Sequence, residues 1–115
     1  MQSEANRFDK KLLAPYFDHW ESIREKIESD YQQKDRQAVE VMKTAIDTYR
    51  KLLEQGGKEL DKRSEKLVYT LLPLNGTERF EFVKAKIDSH YAFIQLDALF
   101  SETKKKAARL SIMKK

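Results

Sequence analysis

A chain of 115 residues, 37% charged and 40% hydrophobic, is long enough to bury one core, and its interleaved charges of both signs suit helical surfaces rather than a disordered segment. The lack of Cys excludes disulfides and thiolate metal sites, and three Gly and two Pro leave few places to turn. No run of 18 apolar residues and no apolar leader is present, so one soluble cytoplasmic domain over residues 1–115, with no membrane association, is expected. The net charge of +4 is unevenly placed, because residues 101–115 hold six Lys or Arg against Glu102 alone. A nearly neutral body therefore leads into a basic C-terminal segment, 102–115, expected to fray or project.

The first helical stripe joins Tyr16, Trp20, Ile23, Ile27 and Tyr31, with Pro15 at the first helical position and the end near Gln33. Phe8, Leu12 and Leu13 extend the stripe upstream as a short helix or frayed turn. Asp35 is a plausible N-cap for a second helix to Gln55, whose seam is Val39, Met42, Ile46, Tyr49 and Leu53. Gly56-Gly57 should break that helix, each Gly costing about 1 kcal/mol in a helix interior. A third helix is expected from about Lys58 to Leu72. Against the break, Val39, Ile46, Leu53, Leu60, Leu67 and Leu74 keep one heptad, so an unbroken helix stays open as an alternative.

Pro73-Leu74-Asn75-Gly76-Thr77 is the strongest loop signal, and Asn75 or Thr77 could cap a fourth helix. A competing reading pairs Leu67–Leu72 with Arg79–Val83 across a type I′ turn at Asn75-Gly76. The fourth stripe, Phe80, Val83, Ile87, Tyr91, Ile94 and Ala98, would make a helix about 55 Å long if it ran to Met113. Between Tyr91 and Phe100 only Gln95 and Asp97 are polar, so this helix must lie inside a bundle or under a partner.

Catalytic chemistry finds little footing. His19 and His90 belong to no H-E-x-x-H motif, and neither has Glu three residues before it, as a di-iron bundle needs. Glu21, Glu25 and Glu28 share a face, but Arg24 and Lys26 stand among them, as on a solvated ion-paired surface. No phosphate-binding glycine loop is present. Phe80, Phe82, Tyr91, Phe93 and Phe100 accompany Lys84, Lys86 and the terminal lysines, a composition that holds single strands when the rings are exposed and makes a core when they are not.

Several of these residues form a pattern. Glu78-Arg79 with Phe82 and Val83, then His90-Tyr91-Ala92-Phe93-Ile94-Gln95-Leu96, Leu99-Phe100 and the lysines after them, resemble the YpoC-like family of small bacterial proteins. Trp20, Lys34-Asp35-Arg36 and Ala45-Ile46 are similar to its second cluster. The resemblance implies a cytoplasmic bacterial helical protein. It brings no catalytic residue to carry over, and any function housed in the longer N-terminal part of family members falls outside what these residues imply.

The expected fold is all-α, an antiparallel bundle of about four helices with a long C-terminal helix and no sheet. Its core should unite Trp20, Ile46, Leu67, Ile87, Tyr91 and Ile94. The second apolar face of the last helix, Phe93, Leu96 and Phe100, is expected to meet a protein partner or a second copy. Lys104, Lys105, Lys106, Arg109, Lys114 and Lys115 are the expected anion or nucleic-acid contacts. The expected function is that of a non-enzymatic accessory or adaptor protein without metal or cofactor. Its alternative is direct nucleic-acid binding through the same lysines and nearby aromatics.

Overall fold

Asp9 opens the first helix by accepting the Lys11 backbone N–H at 2.7 Å, so α1 runs Lys10–Gln32 in the computed structural model, which describes residues 7–113. Pro15 thus lies inside the helix rather than at its start. Its ring sits on the exposed side, where the carbonyl it leaves without a donor can meet water. Lys34, with φ 58°, turns the chain, and the Asp35 carboxylate accepts the Gln37 N–H at 2.9 Å to start α2, Gln37–Gly56.

The third helix expected from Lys58 to Leu72 is a β-hairpin instead. β1, Lys58–Asp61, pairs antiparallel with β2, Lys66–Tyr69, matching Leu60 with Leu67. Two features impose it. Gly57 takes φ 79° and ψ −176°, a conformation almost confined to glycine, which ends α2 and sends the chain out extended. Asp61 then builds the turn, its Oδ2 accepting the Ser64 hydroxyl at 2.8 Å, with Glu65 in the left-handed region at φ 58°. The heptad through the glycines was a coincidence of spacing. Leu60, Leu67 and Leu74 are all exposed, and Leu67 at 66% exposure is not a core residue.

The fourth helix is two. α3 spans Gly76–Ala85 and α4 spans His90–Met113, separated by a turn in which the Ser89 hydroxyl oxygen accepts the Tyr91 N–H at 3.1 Å. Asn75 leads into α3 from a left-handed conformation rather than forming a hairpin turn. The break resets the helical phase and takes Tyr91 and Ile94 out of the expected core, as the hairpin took Leu67. Tyr91 is 72% exposed and Ile94 50%, whereas Trp20 is buried and Ile46 and Ile87 are partly buried.

The face of α4 that turns inward is Ala92, Phe93, Leu96, Leu99, Phe100, Thr103 and Ala107. Contacts from Tyr31 to His90, Arg24 to Asp97 and Phe17 to Phe100 show α1 and α4 running antiparallel. Phe100 is the hub: it stacks on Trp20 at 4.6 Å between centroids and meets Tyr49 edge-on at 5.0 Å, and Tyr49 in turn meets Phe80 at 5.1 Å. One aromatic cluster therefore ties all four helices together. The molecule is mostly helical with a small two-stranded sheet, not a pure bundle.

Candidate partner-binding groove and the basic end of α4

Where the start of α1 runs beside the end of α4, Ala14, Ala107 and Ala108 supply little bulk, and a groove of about 440 Å³ remains between the helices. Phe8, Leu13, Phe17 and Ile112 complete its apolar surface. Lys10 and Lys104 stand at its edge with Asp18 as the opposing acid. The Lys104 ammonium lies 5.8 Å from the centroid of the Phe17 ring, so its stem covers apolar surface while its charge faces the mouth.

Toward its N-terminal half, α4 is tied to the other helices by buried and half-buried polar contacts. Asp97 accepts the Trp20 indole N–H at 3.0 Å and receives Arg24 on both oxygens, at 3.0 and 2.7 Å. The charge-assisted bond to Asp97 raises the Arg24 pKa further. Arg79 reaches from α3 to α4, donating to Gln95 at 2.7 Å and to both Glu102 oxygens at 2.8 Å. That guanidinium holds the Glu102 carboxyl below its ordinary range. Farther in, Thr103 donates to the Leu71 carbonyl at 3.1 Å, and the Tyr49 hydroxyl lies 2.7 Å from the same Thr103 oxygen.

The basic segment is less uniform than its sequence. It belongs to α4 as far as Met113. Lys106 points inward and donates to the Leu72 carbonyl at 2.9 Å, and burial lowers its pKa. Lys105 and Arg109 are exposed, Lys104 is committed to Phe17, and Lys114 and Lys115 lie outside the described residues. The expected interface residues are elsewhere: Phe93, Leu96 and Phe100 are 3%, 0% and 2% exposed within this chain's own core. Their apolar character is used up by Trp20, Tyr49 and Phe17, so they offer a partner nothing. Phe80 is also buried, which leaves Phe82 and Tyr91 as the exposed rings of the aromatic group.

The remaining candidates are structural in their contacts. His19 Nδ1 sits 2.9 Å from the Thr48 hydroxyl, and the His90 ring stacks on Phe93 at 5.7 Å with Glu28 3.8 Å from its Nε2. Among the described residues no three His, Asp or Glu side chains are grouped to hold a metal, and no helix is long and apolar enough to cross a membrane. A family model of YpoC-like proteins matches residues 10–115. The chain belongs to the YpoC-like family. No curated protein and no solved structure matches it. What this YpoC-like chain can do is therefore read from its own geometry. The groove and the Arg79 and Asp97 ties were not foreseen from its sequence. Gln95 and Asp97, the two polar residues within an apolar run, were the available signal for those ties, because a buried polar group requires a partner.

Proposed function

We propose that this YpoC-like chain is a non-catalytic accessory protein that binds a protein partner, with the basic end of α4 adding attraction to an anionic surface. One observation carries the reading: the apolar groove between α1 and α4, edged by Lys10 and Lys104. Apolar concavities with a few polar groups at the rim are where folded proteins take up partner side chains. The two helices that flank the groove are tied to each other farther along by the Asp97 contacts to Trp20 and Arg24, which limits the ordering free energy lost on docking. A cytoplasmic setting belongs to the same proposal.

The test is capture from a host lysate by the tagged chain, compared with Ala14→Glu, which places a carboxylate in the groove wall. A specific protein held by the parent chain at high salt and lost by the variant is the expected result. Equal retention by the two proteins would refute the groove as the site. Direct nucleic-acid binding is supported by Lys105 and Arg109, which are exposed on one side of α4. That mode is distinguished by a steep loss of affinity with salt and by indifference to Ala14→Glu.

A further inference from the structure

The cations at one end of the molecule are left over from the ion pairing of the fold. Antiparallel packing puts the start of α1 and the end of α4 at the same end, which gathers Lys10, Lys11, Lys104, Lys105 and Arg109, all exposed. Among the described residues none of these is in an ion pair, whereas Arg24, Arg50, Arg79 and Lys84 each hold a carboxylate. Of the acids nearby, Asp9 is engaged in capping α1, and residues 104–113 hold no acid at all.

These unpaired charges surround an apolar surface. Lys10 and Lys104 lie at opposite ends of the groove, since Lys104 reaches over Phe17 and Lys10 stands about two turns earlier on α1. Lys105 precedes Ala108 by three residues and Arg109 precedes Ile112 by three, so both flank the α4 wall, as Lys11 flanks the α1 wall beside Ala14. An apolar floor inside a cationic rim is complementary to an amphipathic anion.

We infer that the groove receives an acidic amphipathic helix of the partner protein, its apolar side chains over Ala14, Ala107 and Ala108 and its carboxylates toward the ring of lysines. The inference rests on the groove being the partner site and adds what the partner presents there. A helix suits the place because small residues on both walls let a third helix approach closely. The lining from Lys10 to Asp18 follows about 12 Å of helix, which accommodates side chains at i, i+3 or i+4, and i+7 of the occupant. Asp18 is the one acid of the lining, and its repulsion turns the partner's carboxylates toward the α4 rim. Nucleic acid would use the same cations but leave the apolar floor empty. Phe8 and Phe17, at 2% and 9% exposure, give bases no ring face to stack on.

Fluorescence anisotropy on the full chain with three labelled synthetic peptides of about 16 residues tests this. One carries leucines at i, i+4, i+7 and i+11 among glutamates, one carries the same leucines among lysines, and one scrambles the first so that its leucines share no face. At about 50 mM salt the first should bind at least about tenfold more tightly than the other two. Joint Lys10→Glu and Lys104→Glu substitution should weaken it at least about tenfold, and so should Ala108→Trp, which fills the groove without altering charge, while helical circular dichroism and Tm stay unchanged. Equal binding of the glutamate and lysine peptides, both lost in Ala108→Trp, would overturn the acidic chemistry and leave the groove as a partner site. Indifference of the glutamate peptide to Ala108→Trp, or equal binding of its scrambled form, would overturn docking in the groove and the inference with it. No binding of the glutamate peptide up to about 1 mM, or its displacement by an oligothymidylate that binds Ala108→Trp as well as the parent chain, would also overturn the inference.

Discussion

Replacing Thr103 by Val exchanges a hydroxyl for a methyl of nearly the same shape in a site where Thr103, Tyr49 and Leu71 are all fully buried. The Thr103 hydroxyl has one proton, which it donates to the Leu71 carbonyl at 3.1 Å, so the Tyr49 hydroxyl 2.7 Å away must be its donor. Burial holds the Tyr49 pKa well above its usual value, which keeps that proton in place. Thr103→Val therefore strands a donor and an acceptor in the core. At about 1–3 kcal/mol for each unsatisfied group, partly relieved by relaxation, the loss should be roughly 2–4 kcal/mol. Tyr49→Phe removes only the outer donor and should cost about 1 kcal/mol. The double variant strands Leu71 alone, so it should fall short of the sum of the single losses by about 1 kcal/mol. Urea denaturation gives the free energies, and Tm should drop roughly 3–6 °C per kcal/mol in a chain of this size. A loss under about 0.5 kcal/mol for Thr103→Val, or strict additivity in the cycle, would refute the relay.

Two further outcomes follow from the same geometry. Gly57→Ala, at φ 79° and ψ −176°, should cost about 1–3 kcal/mol by urea denaturation and should speed amide exchange in the hairpin, since only the exit from α2 is strained. Glu102 has a folded pKa below its reference value of 4.5 because of Arg79, so the pair's stabilisation is present above pH 4.5 and is lost as pH falls through the depressed value. The stability advantage of the parent chain over Glu102→Gln, read by thermal melts, should be fullest at neutral pH and close in acid.

The legibility of the fold in the sequence was uneven for reasons that specific residues explain. α1 and α2 followed from their stripes, because an apolar face of three to five turns has no other use. The hairpin was missed because Leu53, Leu60 and Leu67 kept a heptad, while the stronger signals were Gly57, the Asp61 and Ser64 turn and the strand-favouring run Leu67-Val68-Tyr69-Thr70. In α4 two apolar faces compete, and sequence spacing alone does not rank them. Carrying the phase of Phe80 and Val83 across Ser89 selected Tyr91 and Ile94, but the Ser89 cap starts a new helix whose inward face is Phe93, Leu96 and Phe100. The groove was invisible for a different reason: it is made by what Ala14, Ala107 and Ala108 lack, and those residues meet only in three dimensions.

The hairpin joins the body through a narrow neck, with the Thr70 N–H donating to the Gly57 carbonyl at 2.9 Å and Leu71 seated over Gly56, where an added Cβ would come within 2.6 Å of the leucine Cγ. Its own strands contribute no side chain to the fully buried core. Chain length between Asp61 and Lys66 is thus decoupled from the packing of the helices. A longer excursion there alters the reach of the protein without disturbing its interior, so this turn is the natural place for a reporter peptide or for relatives of different length to diverge.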